Sequence, residues 1–392
     1  MTFQKNAGAV RRFAKAMKFG AWLQGLPPKL TPPPFRLMQI GSAFWQSRAL
    51  YVAARLDIAT VLADGEMEAD TLATRVNAHA DAIGRLMRLL AAIGVFEETA
   101  AGVFCNNTVS DCLRTGQPNN VRAMILMHGS DEMARPWFEQ LEQGVRSGKS
   151  PFSLCHGQGL FDYLDQHSDL DRLFSQAMDS VEALTGDSFA TDFDWSRFDR
   201  VIDVGGSRGS KSLAILKRHP HLRSLVVDRP QVIEEAKRYW AHRPHSLSDR
   251  MQFQAGDVWT ALPPPQGDRD VYLLSAVLHG FDDDTCVRML RNLAQVIGRS
   301  GAKVAIMEMV LPETRADIAG ASFDMQMFMG TTGRERTLRE WRRLCQQGGF
   351  ELVEVVGLQA MGCVLMCEVA SSDATQQTTS YFPHDGTAPT GH

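Results

Sequence analysis

The chain of 392 residues has no run of about 18 apolar residues, the length a membrane-crossing helix needs, so no transmembrane helix is expected. It has no CxxC pair. Its seven cysteines, Cys105, Cys112, Cys155, Cys286, Cys345, Cys363 and Cys367, are scattered and odd in number. That disfavours a zinc site and a disulfide framework, and implies free thiols in a reducing cytoplasm. It has no basic excess either. The formal net charge is −4, which gives no overall signal for nucleic acid. No internal repeat is evident. What remains is ordinary for a globular chain: 44% hydrophobic and 22% charged residues, with a length that suits two domains or one large domain with a helical addition.

One absence is local. Residues 1–56 contain no Asp or Glu against nine Lys or Arg. The stretch VRRFAKAMKFGAWL is a basic amphipathic pattern, readable as a helix on an anionic membrane surface, as a transit-like segment, or as a solvated helix leading into a subunit interface. The last reading is preferred. LPPKLTPPPF (26–35) follows as a proline-rich linker without helix potential, closing a basic extension at 1–36. FRLMQIGSAFWQSRALYVAARL then predicts one long helix, apolar on more than one face, as suits burial against a partner chain. Short helices and a hairpin complete a winged-helix-like arrangement over 37–118. Such a module suggests DNA binding, but its third helix carries only Arg85 and Arg88 among Leu and Met, which reads as packed rather than groove-facing. Residues 119–190 read as helices.

From 199 the rhythm changes. RVIDVGG, RSLVVDRP, MQFQAGDVW, DVYLLSAVLH and KVAIMEMVL are apolar strands, separated by the helical stretches KSLAILKRH, PQVIEEAKRYW and TCVRMLRNLAQVIG. Such alternation predicts a Rossmann-like α/β domain with a doubly wound, mostly parallel sheet over 191–370. GFELVEVVGLQAMGCVLMCEVA reads as a closing pair of strands, and 371–392, polar and aperiodic, as a disordered tail.

Ligands of such sheets lie beyond the carboxyl ends of the strands. There stand Asp203, Gly205, Gly206, Ser207 and Gly209 after the first strand, and Asp228 and Arg229 after the second. Asp257 and Val258 follow the third, with Ser275 and His279 after the fourth and Glu308 after the fifth. A glycine loop, an acid at the next strand end to take a ribose, and GD at the third describe an adenosine site. NAD is the rival ligand. However, DVGGSRG is not GxGxxG, and it begins with an acid. An acid there repels a pyrophosphate and suits a ligand with an ammonium group, such as S-adenosylmethionine.

The motifs DVGGSRG, VVDRP, GDVW, LLSAVLHGFDDD, EMVLPE and GRERTLREWRRLCQQGGF, with LFDYLDQHSDLDRLFSQAM before them, resemble those of the class I S-adenosylmethionine-dependent small-molecule O-methyltransferases. That family includes plant caffeate and flavonoid enzymes and natural-product enzymes of bacteria and fungi. The resemblance runs from about 37 to 369. It implies a dimerising N-terminal module and a homodimer, His279 as general base, and Glu308 and Glu335 orienting base and acceptor. It implies a hydroxylated small-molecule acceptor, phenolic or polyketide-like, and no metal. The acceptor pocket would draw on Met127, Trp137, Phe174, Met178, Asp324 and Phe328, with Met178 and Asp324 foremost by motif position.

The chain departs from the pattern at Ser207, where glycine is usual, and by Arg208 and Lys211, which add positive charge near a cationic sulfonium. N- or C-methylation, drift to a non-methylating reaction in the same pocket, and a cofactor-sensing winged-helix regulator are the competing readings. The presence of His279, Glu308 and Glu335 speaks against drift, and the lack of a basic recognition helix speaks against the regulator.

Overall fold

The computed structural model describes residues 2–241, 248–259, 262–360 and 362–370; the tail expected at 371–392 lies outside them. Twelve strands occur among the described residues. β1 (Met67–Glu68), β2 (Phe96–Ala100) and β3 (Val103–Asn106) form a small antiparallel sheet in the order β1-β3-β2. Against it pack helices that include Ala43–Arg55, Ala69–Arg75 and Ala80–Ala92. In the last of these, Ile83, Met87 and Leu90 face inward, spaced for one helical face, and Arg85 pairs with Asp81 on the outer side. The helix is thus committed to packing.

The long helix expected over 35–56 is two, Pro33–Gly41 and Ala43–Arg55, broken at Ser42. The linker expected at 26–35 also contains helix. Leu26–Leu30 and Pro33–Gly41 both carry proline in their first turn. Proline lacks only an N–H that has no intrahelical partner there, so it starts a helix as readily as it stops one.

The larger unit contains β4 (Arg200–Val204), β5 (Arg223–Asp228), β6 (Met251–Ala255), β7 (Asp270–Ser275), β8 (Lys303–Glu308), the short β9 (Val310–Leu311) and β10 (Arg336–Thr337), β11 (Phe350–Gly357) and β12 (Cys363–Val369). Seven of these make one sheet in the order β11-β12-β8-β7-β4-β5-β6, parallel except where β12 runs antiparallel to both neighbours. Alternation along the strands feeds two cores. Ile202, Tyr272, Val304 and Leu365 face the helix Asp283–Ile297 and Trp341, while Val201, Val271, Ala305 and Val364 face the helices Ser210–Arg218 and Pro230–Ala241.

The first residues of the chain, ahead of the solvated helix expected at VRRFAKAMKFGAWL, join that second core, which the sequence did not signal. Phe3 is 5% exposed and stacks on Phe193 and Phe198 at 5.3 and 5.8 Å. The Phe3 N–H donates to Glu354, and Gln4 exchanges hydrogen bonds with the Gly357 backbone on β11. After this anchor, the helix Ala7–Gln24 has no buried residue. Its Phe19 and Trp22, and Phe35, Leu37, Met38 and Trp45 beyond it, are exposed.

Candidate active site

The order of strands 4, 5, 7 and 8 puts their carboxyl ends side by side, and the sequence places polar residues there. At the end of β4 the chain turns through Gly205, Ser207 and Gly209, all with positive φ. A Cβ on Gly206 would meet the Asp203 carboxylate at 2.6–2.9 Å, and one on Gly205 would meet Val277 at 2.8 Å. Both glycines therefore allow a close backbone approach.

Asp203 does not face outward as the charge argument from sequence required. It is 1% exposed, lies on the Val201 face of β4, and accepts a hydrogen bond from Ser212 Oγ at 2.7 Å. Its carboxylate sits beneath Gly206 and shapes the loop rather than lining its rim. Asp228, at the end of β5, accepts from the backbone N–H groups of Ser207 and Arg229 at 2.9 and 2.7 Å. The acid at the second strand end is thus tied to the glycine loop at the first. Ser207 itself is exposed. Arg208 turns away from the loop to Asp179 at 2.9 Å and lies over the Tyr239 ring. Arg229 pairs with Asp165 at 3.6 Å. Asp257 caps its own loop by accepting from Trp259 N, and Val258 is buried in the first core. Ser275 ends β7 and is half-buried. The set suits S-adenosylmethionine: a half-buried carboxylate at the second strand end, each oxygen holding one backbone N–H and keeping acceptor capacity for a ribose hydroxyl, a glycine-walled turn, and a loop cation paired with a carboxylate of its own.

Beyond Ser275 the chain makes a tight turn, Ala276 with φ 53°, into Leu278–Gly280. Glu308 Oε1 accepts from the N–H groups of both Val277 and Leu278 at 3.0 Å. His279 Nδ1 meets Glu335 Oε1 at 2.8 Å and lies 3.7 Å from Glu308 Oε2. The parallel pairing of β9 with β10 explains the meeting: β9 begins two residues after Glu308, and β10 begins one residue after Glu335. Asp324 Oδ1 accepts from Glu335 N at 2.8 Å and so supports this segment from the helix Ile318–Gly330.

The electrostatics follow from burial and charge. Burial alone would lower the pKa of His279; the charge of Glu308, the hydrogen bond to Glu335 and the charge of Glu335 outweigh it and raise the value to about 9. Burial pushes the Glu308 carboxyl above its usual range. With Nδ1 bonded to the Glu335 carboxylate, Nε2 is the ring nitrogen that this pairing leaves open. His279, Glu308 and Glu335 have the spacing of a metal triad, with ligand atoms within 4.8 Å of one another. Here Nδ1 is engaged by Glu335, and Glu308 Oε1 holds two backbone donors.

A cavity of about 860 Å³ opens between the helices Ala43–Arg55, Arg122–Gly129 and Asp131–Glu139 and the helix Ile318–Gly330. It is mainly apolar, with Met133, Trp137, Met325 and Met329 in its wall and Arg48, His128 and Gln326 as polar points. Phe323, on the same helix as Met325 and Gln326, stands 5.9 Å from the His279 ring. Of the six residues expected to touch an acceptor, Trp137 lines this cavity. Met127 does not: it is fully buried in the helical core, where methionine fills space. Phe174 and Met178 are half-buried against that core, and Phe328 is half-buried on the helix. His156 ends the helix Pro151–His156 and packs between Phe152 and Tyr163.

Sequence reasoning missed two residues of the site. Gly333 lies against the Leu278–Gly280 turn so closely that a Cβ would be 1.9 Å from the His279 carbonyl oxygen. Arg336 is completely buried beneath the same turn. Both stand in GRERT, next to the Glu335 that the motif did reveal; a glycine and a second charged residue in so short a stretch were the available signal.

Residues 138–351 match the family model of the O-methyltransferase domain, and 38–116 match that of the O-methyltransferase dimerisation domain. The chain is 34% identical over 320 residues to the phenazine O-methyltransferase of Lysobacter antibioticus, covering 82% of this chain and 92% of that one. It is 30% identical to the phenazine-1-carboxylate N-methyltransferase of Pseudomonas aeruginosa, covering 82% and 93%. Among solved structures, the neocarzinostatin O-methyltransferase in complex with S-adenosylmethionine and 2-hydroxy-5-methyl naphthoic acid superposes with a TM-score of 0.71 at 29% identity, covering 83% of this chain and 96% of that one. The chain belongs to the S-adenosylmethionine-dependent O-methyltransferase family of natural-product biosynthesis.

Proposed function

We propose that this enzyme methylates a phenolic hydroxyl of a flat, apolar small molecule, with His279 as the general base. The observation that carries the reading is the buried His279–Glu335 pair with Glu308 beside it. Glu335 fixes the tautomer and Glu308 holds the turn, so Nε2 is presented to the acceptor oxygen as a proton acceptor. S-adenosylmethionine, when bound, supplies an electrophilic methyl on a positively charged sulfonium. A base near 9 is well matched to a phenol, whose proton leaves near 10; an alcohol is a much weaker acid. At neutral pH a value near 9 leaves the unliganded imidazole mostly protonated, and a positive charge brought beside the ring lowers its pKa and favours the free base.

The cavity walled by Met133, Trp137, Met325 and Met329 suits an aromatic ring system, and the His128–Gln326 contact at 3.0 Å offers it one polar edge. Relatives named for phenazines and a neighbour holding a naphthoic acid support the same class. Asp228, Ser207, Gly205, Gly206 and Arg229 would hold the cofactor, with Ser275, Asp257 and Val258 around the adenine. The module over 37–118 would pair two chains through the exposed Leu37, Met38, Ile40 and Trp45, giving a homodimer. Free thiols fit work in the cytoplasm.

The test is calorimetric. The purified protein should bind S-adenosylmethionine and S-adenosylhomocysteine at micromolar concentration, and Asp228→Ala should lose most of that affinity. An acceptor screen on phenolic polycycles should then yield turnover that His279→Ala lacks. Turnover of amines but not phenols would favour N-methylation, the chemistry in the name of the Pseudomonas relative.

A further inference from the structure

We infer that Arg336 is a positioning residue for His279, gripping the backbone on both sides of the catalytic turn from beneath. This rests on the reading of His279 as the base. Three observations carry it.

First, the guanidinium is completely buried, which is costly unless each donor is met. It is met by the turn itself. Nη1 donates to the Leu278 carbonyl at 3.1 Å and Nη2 to the Phe281 carbonyl at 2.9 Å, and these two residues bracket His279 and Gly280. Second, the remaining donors reach the helix that follows. Nε donates to Asp283 Oδ1 at 2.9 Å, and Cys286 Sγ is within 3.6 Å of Nη2. The turn and the first turn of the helix Asp283–Ile297 are thereby held as one piece. Third, Arg336 is the next residue after Glu335. Along an extended strand, neighbours point to opposite sides. Glu335 takes the imidazole ring at Nδ1, while Arg336 takes the backbone that carries that ring. The close approach of Gly333 to the His279 carbonyl lets this segment lie flat against the turn. Two adjacent, oppositely charged side chains thus fix one histidine in position and orientation.

The arrangement also has an electrostatic consequence. A buried cation close to the ring opposes its protonation, so Arg336 acts against Glu308 and Glu335 and lowers the imidazole pKa. A residue that only filled space would have no such effect.

The test uses the full chain with isotope-labelled histidine, the His279 resonance being assigned by its loss in His279→Gln. Arg336→Met should raise the His279 pKa by about half a unit or more, and Arg336→Lys, which keeps the charge, should leave it within about 0.3 unit. Both should lower kcat by about 10- to 100-fold, because a displaced base loses its reach, while the Kd for S-adenosylhomocysteine stays within about twofold. If Arg336→Met does not fold, Arg336→Lys carries the test, and a lysine variant with wild-type kcat overturns the proposal. A folded methionine variant with unchanged kcat and unchanged His279 pKa overturns it as well. Failure of the base reading is separate: it would be seen as full turnover by His279→Ala, with the resonance shift in Arg336→Met still present.

Discussion

The carboxyl ends of the central strands and the first 36 residues of the chain were read from sequence with opposite success. At the strand ends, each functional group follows an apolar run whose direction and burial are set by neighbours, so position in the motif implies position in space. In the N-terminal extension the helical pattern begins only after the anchor, at Ala7–Gln24, and gives Phe3 no frame. A single Phe3 is inserted into an aromatic cluster nearly two hundred residues away, and nothing in its local sequence distinguishes it from Phe13 or Phe19. The difference teaches that motif reasoning succeeds where the backbone is already constrained, and fails where one side chain makes a long-range contact.

The largest effect should come from breaking the first region. His279→Ala is expected to lower kcat by about 10²–10⁴-fold, measured with any accepted phenol, and to leave S-adenosylhomocysteine binding intact. Removal of the N-terminal anchor should do the reverse. Phe3→Ala empties a site that is 5% exposed among Phe193, Phe198 and Trp195, and should cost about 3 kcal/mol of stability. The midpoint of thermal unfolding should fall by several degrees, with kcat per folded molecule nearly unchanged. A large loss of kcat in Phe3→Ala would erase the contrast and couple the extension to the chemistry.

Within the readable region, legibility was itself uneven. The five parallel strands, their helices and the closing pair were evident in the alternation of apolar strands with helical stretches. His279, Glu308 and Glu335 came from motif resemblance; β9 and β10, which bring the two acids together, are only two residues long and leave no periodic trace. Asp203 was misjudged although the signal existed: with period two it shares a face with the buried Val201, and so points under the loop. Arg336 was invisible because a charged side chain in a charged stretch reads as solvated, and only tertiary structure shows it buried. Prolines 33 and 34 were read as breakers, yet they sit where a helix begins.

A pH profile sharpens the account of the site. The His279 pKa is raised to about 9 from 6.5, so the imidazolium is favoured by the fold. Its contribution to stability is fully present below about pH 6.5 and is lost as pH rises through 9. In the unliganded protein the base form grows in over the same upper range, so kcat/KM should climb towards pH 9. Glu335→Gln removes a charge and weakens the hydrogen bond to Nδ1. The ascending limb should then move to lower pH, kcat should fall, and the loss of stability between pH 6.5 and 9 should shrink. A limb that stays in place would mean that another group controls the rate.

The smallest expected effect concerns the loop that departs most visibly from its family pattern. Ser207 holds φ at 51°, a left-handed conformation that costs a residue with a Cβ roughly 1–2 kcal/mol. Glycine at 207 would relieve that strain but would add about 0.4–1 kcal/mol of unfolded-state entropy, so Ser207→Gly should change stability by less than about 1 kcal/mol. Its effect on cofactor affinity should also be slight. The group that meets Asp228 is the backbone N–H, which glycine retains, and the hydroxymethyl is exposed. A calorimetric Kd for S-adenosylhomocysteine within about threefold of wild type is therefore expected, since the lost group makes no buried hydrogen bond. A tenfold tightening would show instead that the serine crowds the cofactor's tail, and that at this one position the strand-end region is tuned for weaker binding.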